Sequence, residues 1–274
     1  MMTPSVRRTR RMLELAGAGA AALLTLSACS SSSGSSNTAS DSSGSASSKL
    51  SGTVTVFAAA SLQESFTALG KEFEQQHPGT KVTFSFGGSD TLAASITGGA
   101  PADVFAAASP KTMATVTDAK DAAGAPETFV RNQLEIATLP GNPGKVASLK
   151  DLTKPGLKVV LCDKTVPCGA AAQKALDASH LKLTPVSYEQ DVKSALNKVE
   201  LKEADAAVVY KTDVHAAGDK VEGVEFPESA KAVNDYPIAL LKNAKNAETA
   251  KAFIALVRSA EGQKVLGEAG FLKP

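Results

Sequence analysis

Val54-Thr-Val-Phe-Ala-Ala-Ala-Ser-Leu-Gln-Glu-Ser-Phe-Thr-Ala-Leu69 changes its periodicity halfway. Thr53 to Phe57 is rich in β-branched residues and reads as a buried strand. Ala58 to Ala60 are small enough to let the backbone approach something closely. Ser61 then stands where a helix N-cap is expected, with Glu64 at capping-box spacing. Leu62, Phe66, Leu69 and Phe73 follow at near-helical spacing and predict the buried face of that helix. A strand that runs through small residues into a Ser-led helix presents free N–H groups and a hydroxyl. Such a junction suits an anion, and it is equally the ordinary joint of an α/β domain.

The pattern repeats outward from this stretch. Lys81 to Phe86 alternates like a strand, Gly87-Gly-Ser-Asp90 is a tight turn in which Ser89 or Asp90 caps a helix through Leu92 and Ile96, and Asp103 to Ala107 is a short apolar strand. Strand, helix, strand with short connections is βαβ wiring and implies a largely parallel sheet. After Gly124-Ala-Pro126 a second series begins. Its expected strands are Leu134–Leu139, Leu157–Leu161, Ala206–Tyr210 and Val224–Phe226. Its helices are expected after Pro167 and from Tyr188-Glu-Gln-Asp191 through Val192, Leu196 and Val199. Tyr236 to Leu241 reads as an edge strand, because Pro237 has no N–H for a ladder. The end is helical over 247–257 and 260–266. Chain passages near Arg131 and Lys242 divide the molecule into two lobes: 50–131 with about 243–274, and about 132–242. A cleft between lobes is the default place for a ligand.

Composition narrows the function. Of 274 residues, 43% are hydrophobic and 21% charged, and the formal net charge is +1, which gives no sign of a nucleic-acid partner. Arg7, Arg8, Arg10 and Arg11 precede an apolar stretch from Leu15 to Leu26 that is too short to span a membrane, so residues 1–28 read as a signal peptide. Thr9 to Leu13 faintly resembles a twin-arginine export signal, from which Glu14 departs. Leu26-Ser-Ala-Cys29 looks like a lipobox, which makes Cys29 the lipidated first residue of the mature chain; a plain secretory cleavage site is the alternative. The Ser/Gly-rich stretch 29–49 then serves as a tether, too poor in apolar residues to fold. Without its signal the chain carries −2. Cys162 and Cys168 remain as an even pair in an exported chain, for which a disulfide is the expectation and a metal pair the alternative.

The segments Val54–Leu62, Phe86-Gly-Gly-Ser-Asp-Thr-Leu92, Gly99-Ala-Pro-Ala-Asp-Val-Phe105, Val166-Pro-Cys-Gly169 and Val208-Val-Tyr210, in this order across Leu50 to Phe271, resemble the periplasmic molybdate-binding proteins of ABC importers. That resemblance implies an α/β, two-lobed periplasmic binding protein-like fold of type II. Each lobe would hold a mixed, mostly parallel sheet flanked by helices. It implies a monomer that binds molybdate or tungstate, uses no cofactor, and serves a permease and its ATPase from outside the cell membrane, held there by the lipid anchor. Matched by motif, Ser61 and Ser89 would give hydroxyl and N–H, Cys168 and Val192 their backbone N–H, and Tyr210 its hydroxyl. No metal site is expected, because molybdenum enters only as an oxyanion and His77, His180 and His215 are scattered. Asp90 departs from the family pattern and is expected to cap its own helix or face solvent. Cys168 would use only its N–H, which leaves its sulfur free to pair with Cys162 and stiffen the donor loop. Asp103 is expected either to orient cleft backbone or to cap its turn, and Arg131 and Glu135 to be surface or hinge groups. The alternatives are another oxyanion such as sulfate, or a secreted hydrolase or adhesin. No G-x-S-x-G elbow surrounds Ser61, and the expectation is that the chain is not an enzyme.

Overall fold

The structure is a computed structural model that describes residues 49–274. The expected signal peptide, Cys29 and the tether as far as Ser48 lie outside the described residues. The strands are β1 (Gly52–Ala59), β2 (Thr80–Gly87), β3 (Val104–Ala106), β4 (Glu127–Asn132), β5 (Leu134–Thr138), β6 (Val159–Cys162), β7 (Ser187–Glu189), β8 (Ala206–Tyr210), β9 (Glu222–Val224) and β10 (Asn234–Leu240). The helices are α1 (Gln63–Gln76), α2 (Ser89–Thr97), α3 (Pro110–Asp118), α4 (Pro167–Ala178), α5 (Val192–Glu200), α6 (Lys211–Ala217), α7 (Ala247–Arg258) and α8 (Ala260–Glu268). Among the described residues no helix is long and apolar enough to cross a membrane.

Two five-stranded sheets share one plan. The first runs β2-β1-β3-β10-β4 and the second β7-β6-β8-β5-β9. In the first, β1 is parallel to β2 and β3, and β10 is antiparallel to β3 and β4. In the second, β6 is parallel to β7 and β8, and β5 is antiparallel to β8 and β9. Each sheet is therefore mixed, with a parallel trio whose carboxyl ends lead into helices. In open α/β sheets such ends are where ligands sit.

Each sheet has its own core, which makes the two halves lobes. In the first, Val54, Val56 and Ala58 alternate inward from β1 and are fully buried. Phe66 of α1 stands edge-on to Phe84 and Phe253, with ring centres 6.2 and 6.0 Å apart, and Phe73 closes on Phe253 at 5.6 Å. Each such ring contributes about 1.5–3 kcal/mol by leaving water. The second core gathers Val159, Val160, Val208 and Val209 of β6 and β8 with Ala175, Leu176, Leu196 and Val199 of the covering helices. Ala60 packs into that second core from the first lobe, so the lobes touch directly behind the loop that follows β1.

The structure corrects three local expectations. Tyr236–Leu241 is not an edge strand: β10 lies between β3 and β4, so the chain has returned to the first sheet by Asn234 and not near Lys242. Tyr236, Pro237, Ile238 and Ala239 are all buried there, and the absent Pro237 N–H falls at a register irregularity between Tyr236 and Pro237. Tyr188 belongs to β7, and the helix expected to start there begins at Val192, capped by Asp191 through its bond from the Ser194 N–H. Ser61 is not an N-cap. It lies in a 3-10 turn over Ala60–Leu62, and α1 starts only at Gln63.

The crossings between sheets are short and adjacent. The first passes from β4 through Gln133 into β5, and the second joins β9 to β10. Asn132 and Asn234 are direct partners in the β4–β10 register, so both passages leave the first sheet side by side.

Candidate functional site

Five segments converge between the lobes on one small cavity. Ser61 follows β1, Ser89 opens α2 after β2, Cys168 lies in the first turn of α4 after β6, Val192 opens α5 after β7, and Tyr210 ends β8. The structure thus brings together all five residues singled out from the sequence. The plan is pseudo-symmetric, with Ser61 and Cys168 after β1 and β6, the middle strands of the two parallel trios, and Ser89 and Val192 after their outer neighbours β2 and β7. The first N–H groups of α2, α4 and α5 have no carbonyl within their own helix. They aim partial positive charge at the cavity. Pro167 starts α4 without an N–H to satisfy, so Cys168 carries the first one there.

Most of the remaining lining is small and apolar, from Ala59, Ala60, Gly87, Gly88, Ala108 and Val166 among others. Among the described residues no lysine, arginine or histidine lines it, whereas an aspartate does. Asp191 is that aspartate, and its carboxylate is turned into α5, where its two oxygens accept from the Ser194 N–H and hydroxyl, both at 2.9 Å. Gly88 sits where the lobes meet: a Cβ built on it would lie 2.5 Å from the Gln190 carbonyl oxygen of the second lobe.

The three hydroxyls are held by a network that crosses the lobes. Ser61 Oγ lies 2.8 Å from the Tyr236 hydroxyl, which accepts from Asn132 Nδ2 at 3.3 Å. Ser89 Oγ accepts the Ala108 N–H at 3.0 Å. The Tyr210 hydroxyl accepts from Asn234 Nδ2 at 2.7 Å. Burial raises Tyr210 well above the usual phenol range, with the neighbouring Tyr236 adding to it, and burial also raises Tyr236. Both are neutral donors at physiological pH.

Behind the cavity the lobes share charge. Lys193, next to Val192, reaches Glu64 of α1 at 2.9 Å and Asp213 of α6 at 3.3 Å. Asp213 is fully buried and Oδ2 accepts the Tyr210 N–H at 3.1 Å. Burial pushes its carboxyl up to about 6, against the pull of Lys193. Burial alone would lower Lys193, but Asp213 and Glu64 together hold it above the ordinary range. Glu64 therefore pairs across the lobes and does not close a capping box on Ser61.

Other residues flagged in the sequence lie elsewhere. Asp103 is a structural tie, its carboxylate accepting the N–H groups of Thr55 and Lys245, each at 2.7 Å. Arg131 Nε donates to the Lys273 carbonyl on the surface, and Glu135 is buried in β5, raised by desolvation. Asp90 does not cap α2, whose N-cap is Gly88; its Oδ1 is buried with no hydrogen-bond partner among the described residues, and its Oδ2 stands 3.5 Å from Thr165 Oγ1. A carboxylate in the first turn is favoured there by the helix field. The side chains of Cys162 and Cys168 face each other, with Cα atoms 5.8 Å apart. Asn132, Asn234, Tyr236, Lys193 and Asp213 were not singled out from sequence. Each touches the site through another residue, and no local motif marks it.

Two α/β lobes whose strand ends face one another across a small cavity define a receptor for a small solute. The chain belongs to the bacterial extracellular solute-binding proteins, whose family model matches residues 54–272. It is 46% identical over 222 residues to the molybdate-binding protein ModA of Mycobacterium tuberculosis, covering 81% of this chain and 85% of that one. It is 32% identical over 233 residues to the molybdate-binding protein ModA of Escherichia coli, covering 80% and 89%. In fold it resembles the periplasmic molybdate-binding protein of Azotobacter vinelandii, with a TM-score of 0.71 at 21% identity over 81% of this chain and 99% of that one.

Proposed function

We propose that this protein binds molybdate outside the cytoplasm, with tungstate as a close alternative, and delivers it to an ABC import permease driven by its ATPase. The observation that carries this reading is the convergence of Ser61, Ser89, Cys168, Val192 and Tyr210 on one cavity that, among the described residues, no cationic side chain lines. Fixed dipoles in a dry cleft stabilise a dianion without a counter-charge, because they act at low dielectric and need no rearrangement. Tyr210 and the two serines supply hydroxyl donors, and Cys168 and Val192 supply backbone donors.

Selectivity against sulfate would come mainly from size, because molybdate and tungstate are the larger ions and a site built around them leaves its donors stretched around a smaller one.

The Leu26–Cys29 lipobox supports lipid attachment at Cys29, and the composition of the Ser/Gly-rich segment supports a tether at the membrane surface. A Cys162–Cys168 disulfide in the exported protein would stiffen the turn that presents the Cys168 N–H. Calorimetric titration of the soluble chain with molybdate, with and without Ser61→Ala or Ser89→Ala, tests the reading. Tight binding that weakens in each variant supports it, and absence of molybdate binding to the parent chain overturns it.

A further inference from the structure

Gly88 and Ser89 line the cavity, and the next residue along α2 carries a full negative charge. We propose that Asp90 limits the affinity of the site: its carboxylate repels a bound dianion, competes with it for the field at the α2 N-terminus, and loses water without gaining a donor when the lobes come together, so that release is eased. This rests on the oxyanion reading above and adds what sets the strength of the hold.

The surroundings of Asp90 offer its charge little support. Oδ1 is buried with no hydrogen-bond partner among the described residues. It lies 2.8 Å from the point that a Cβ on Gly88 would occupy, and the Gln190 carbonyl oxygen of the second lobe lies 2.5 Å from the same point. Two oxygens that can only accept thus stand close together where the lobes meet. Oδ2 fares little better. Thr165 Oγ1 reaches it at 3.5 Å, too long for a strong bond, and has its one proton for Asp163 Oδ1 at 2.8 Å. Thr165 therefore brings a second carboxylate to the interface and no counter-charge. Among the described residues no lysine or arginine lies within ion-pair distance of Asp90.

The favourable partner of Asp90 is α2 itself, because a carboxylate in the first turn gains from the unsatisfied N–H groups there. The ligand draws on the same helix end through Ser89. One N-terminus then serves two anions, and each raises the free energy of the other. While the lobes stand apart, water solvates Oδ1; apposed as here, they exclude it. Repulsion and desolvation both act against the closed, loaded form.

The repulsion scales with ligand charge, a signature that packing lacks. Perrhenate is a tetrahedral monoanion close to molybdate in size. Loss of the charge at residue 90 relieves half as much repulsion for perrhenate as for molybdate, whereas relief of desolvation helps both equally. Calorimetric titration of the parent chain, Asp90→Asn and Asp90→Ala with both ions at neutral pH tests this. Molybdate affinity is expected to rise by about tenfold or more in both variants, and its preference over perrhenate to widen by about threefold or more. Unchanged or weaker molybdate binding overturns the proposal, as does an equal gain for both ions. A gain with Asp90→Asn alone also overturns it, because a new amide donor and not the removed charge would then have tightened the site. If Asp90→Ala fails to fold by its melting curve, the two-ion ratio in Asp90→Asn decides; if perrhenate binds too weakly to titrate, the molybdate gain in both variants decides. A parent chain that binds neither ion overturns the oxyanion reading, whereas a parent that binds molybdate with no gain in the variants overturns only this one.

Discussion

Gly88→Ala is the perturbation that most sharply separates closure from folding. Its backbone is ordinary, at φ −61° and ψ 130°, so alanine introduces no strain there. The obstacle is the second lobe: the added Cβ would lie 2.5 Å from the Gln190 carbonyl oxygen, against an ordinary contact of 3.4 Å or more. The neighbouring Asp90 carboxylate at 2.8 Å can rotate aside, but the Gln190 backbone cannot. Relief needs about 0.9 Å of separation between the lobes at the cavity mouth. Hydrogen bonds weaken steeply on that scale, and the Cys168 and Val192 N–H groups both belong to the second lobe. Bonds to a charged ligand contribute roughly 1.5–3 kcal/mol each, so loss of two predicts about 3–6 kcal/mol, or roughly a hundredfold to ten-thousandfold weaker binding. The unliganded protein loses at most about 1 kcal/mol, from the poorer N-cap. Calorimetry of molybdate binding reads the first number and urea unfolding the second. Unchanged affinity would refute the claim that Gly88 permits closure, and a large loss of unliganded stability would show that its role lies in folding.

Four further outcomes are expected. Ser61→Ala and Ser89→Ala each cost roughly 1–3 kcal/mol of molybdate affinity by calorimetry, and a neutral result at both positions removes the hydroxyls from the site. Asp213 binds its proton more tightly folded than unfolded, since its carboxyl rises from 3.8 to about 6. Stability should therefore fall as pH rises from about 4 to about 6, by at most about 3 kcal/mol from this group, and Asp213→Asn should flatten that slope in urea unfolding. Lys193→Met leaves Asp213 buried without its partner and costs about 3 kcal/mol near neutral pH, less at pH 5 where Asp213 takes up a proton; a cost independent of pH would contradict the pairing. Reducing the Cys162–Cys168 bond should lower stability by about 2 kcal/mol, the modest effect of a short loop, and two reactive thiols in denatured, unreduced protein would show that the bond does not form.

The strand-to-helix junctions were legible because their signals are local. Val54–Leu69, Phe86–Leu92 and Val166–Gly169 each carry a run of small or apolar residues followed by helix-starting chemistry. These junctions place three of the five residues at the cavity, Val192 follows from the helix expected around Asp191, and Tyr210 from the apolar strand that it ends. What was not legible depends on pairing at long range. The Pro237 signal argued for an edge, but a register irregularity lets β10 sit inside the first sheet, where Tyr236 is shielded from water. Glu64 matched a capping box by spacing, yet Lys193, distant in sequence, holds it at 2.9 Å. Asn132 and Asn234 stand at sequence positions that resemble ordinary loop polarity. Their use appears only when β4 and β10 pair and set both amides against the tyrosines.

The central claim is that five donors with no cation hold one large tetrahedral dianion. A calorimetric panel of molybdate, tungstate, sulfate and phosphate against the soluble chain tests it most directly. The expected result is submicromolar binding of molybdate and tungstate with negligible sulfate and phosphate. Tight sulfate or phosphate binding, with molybdate weak, would contradict it.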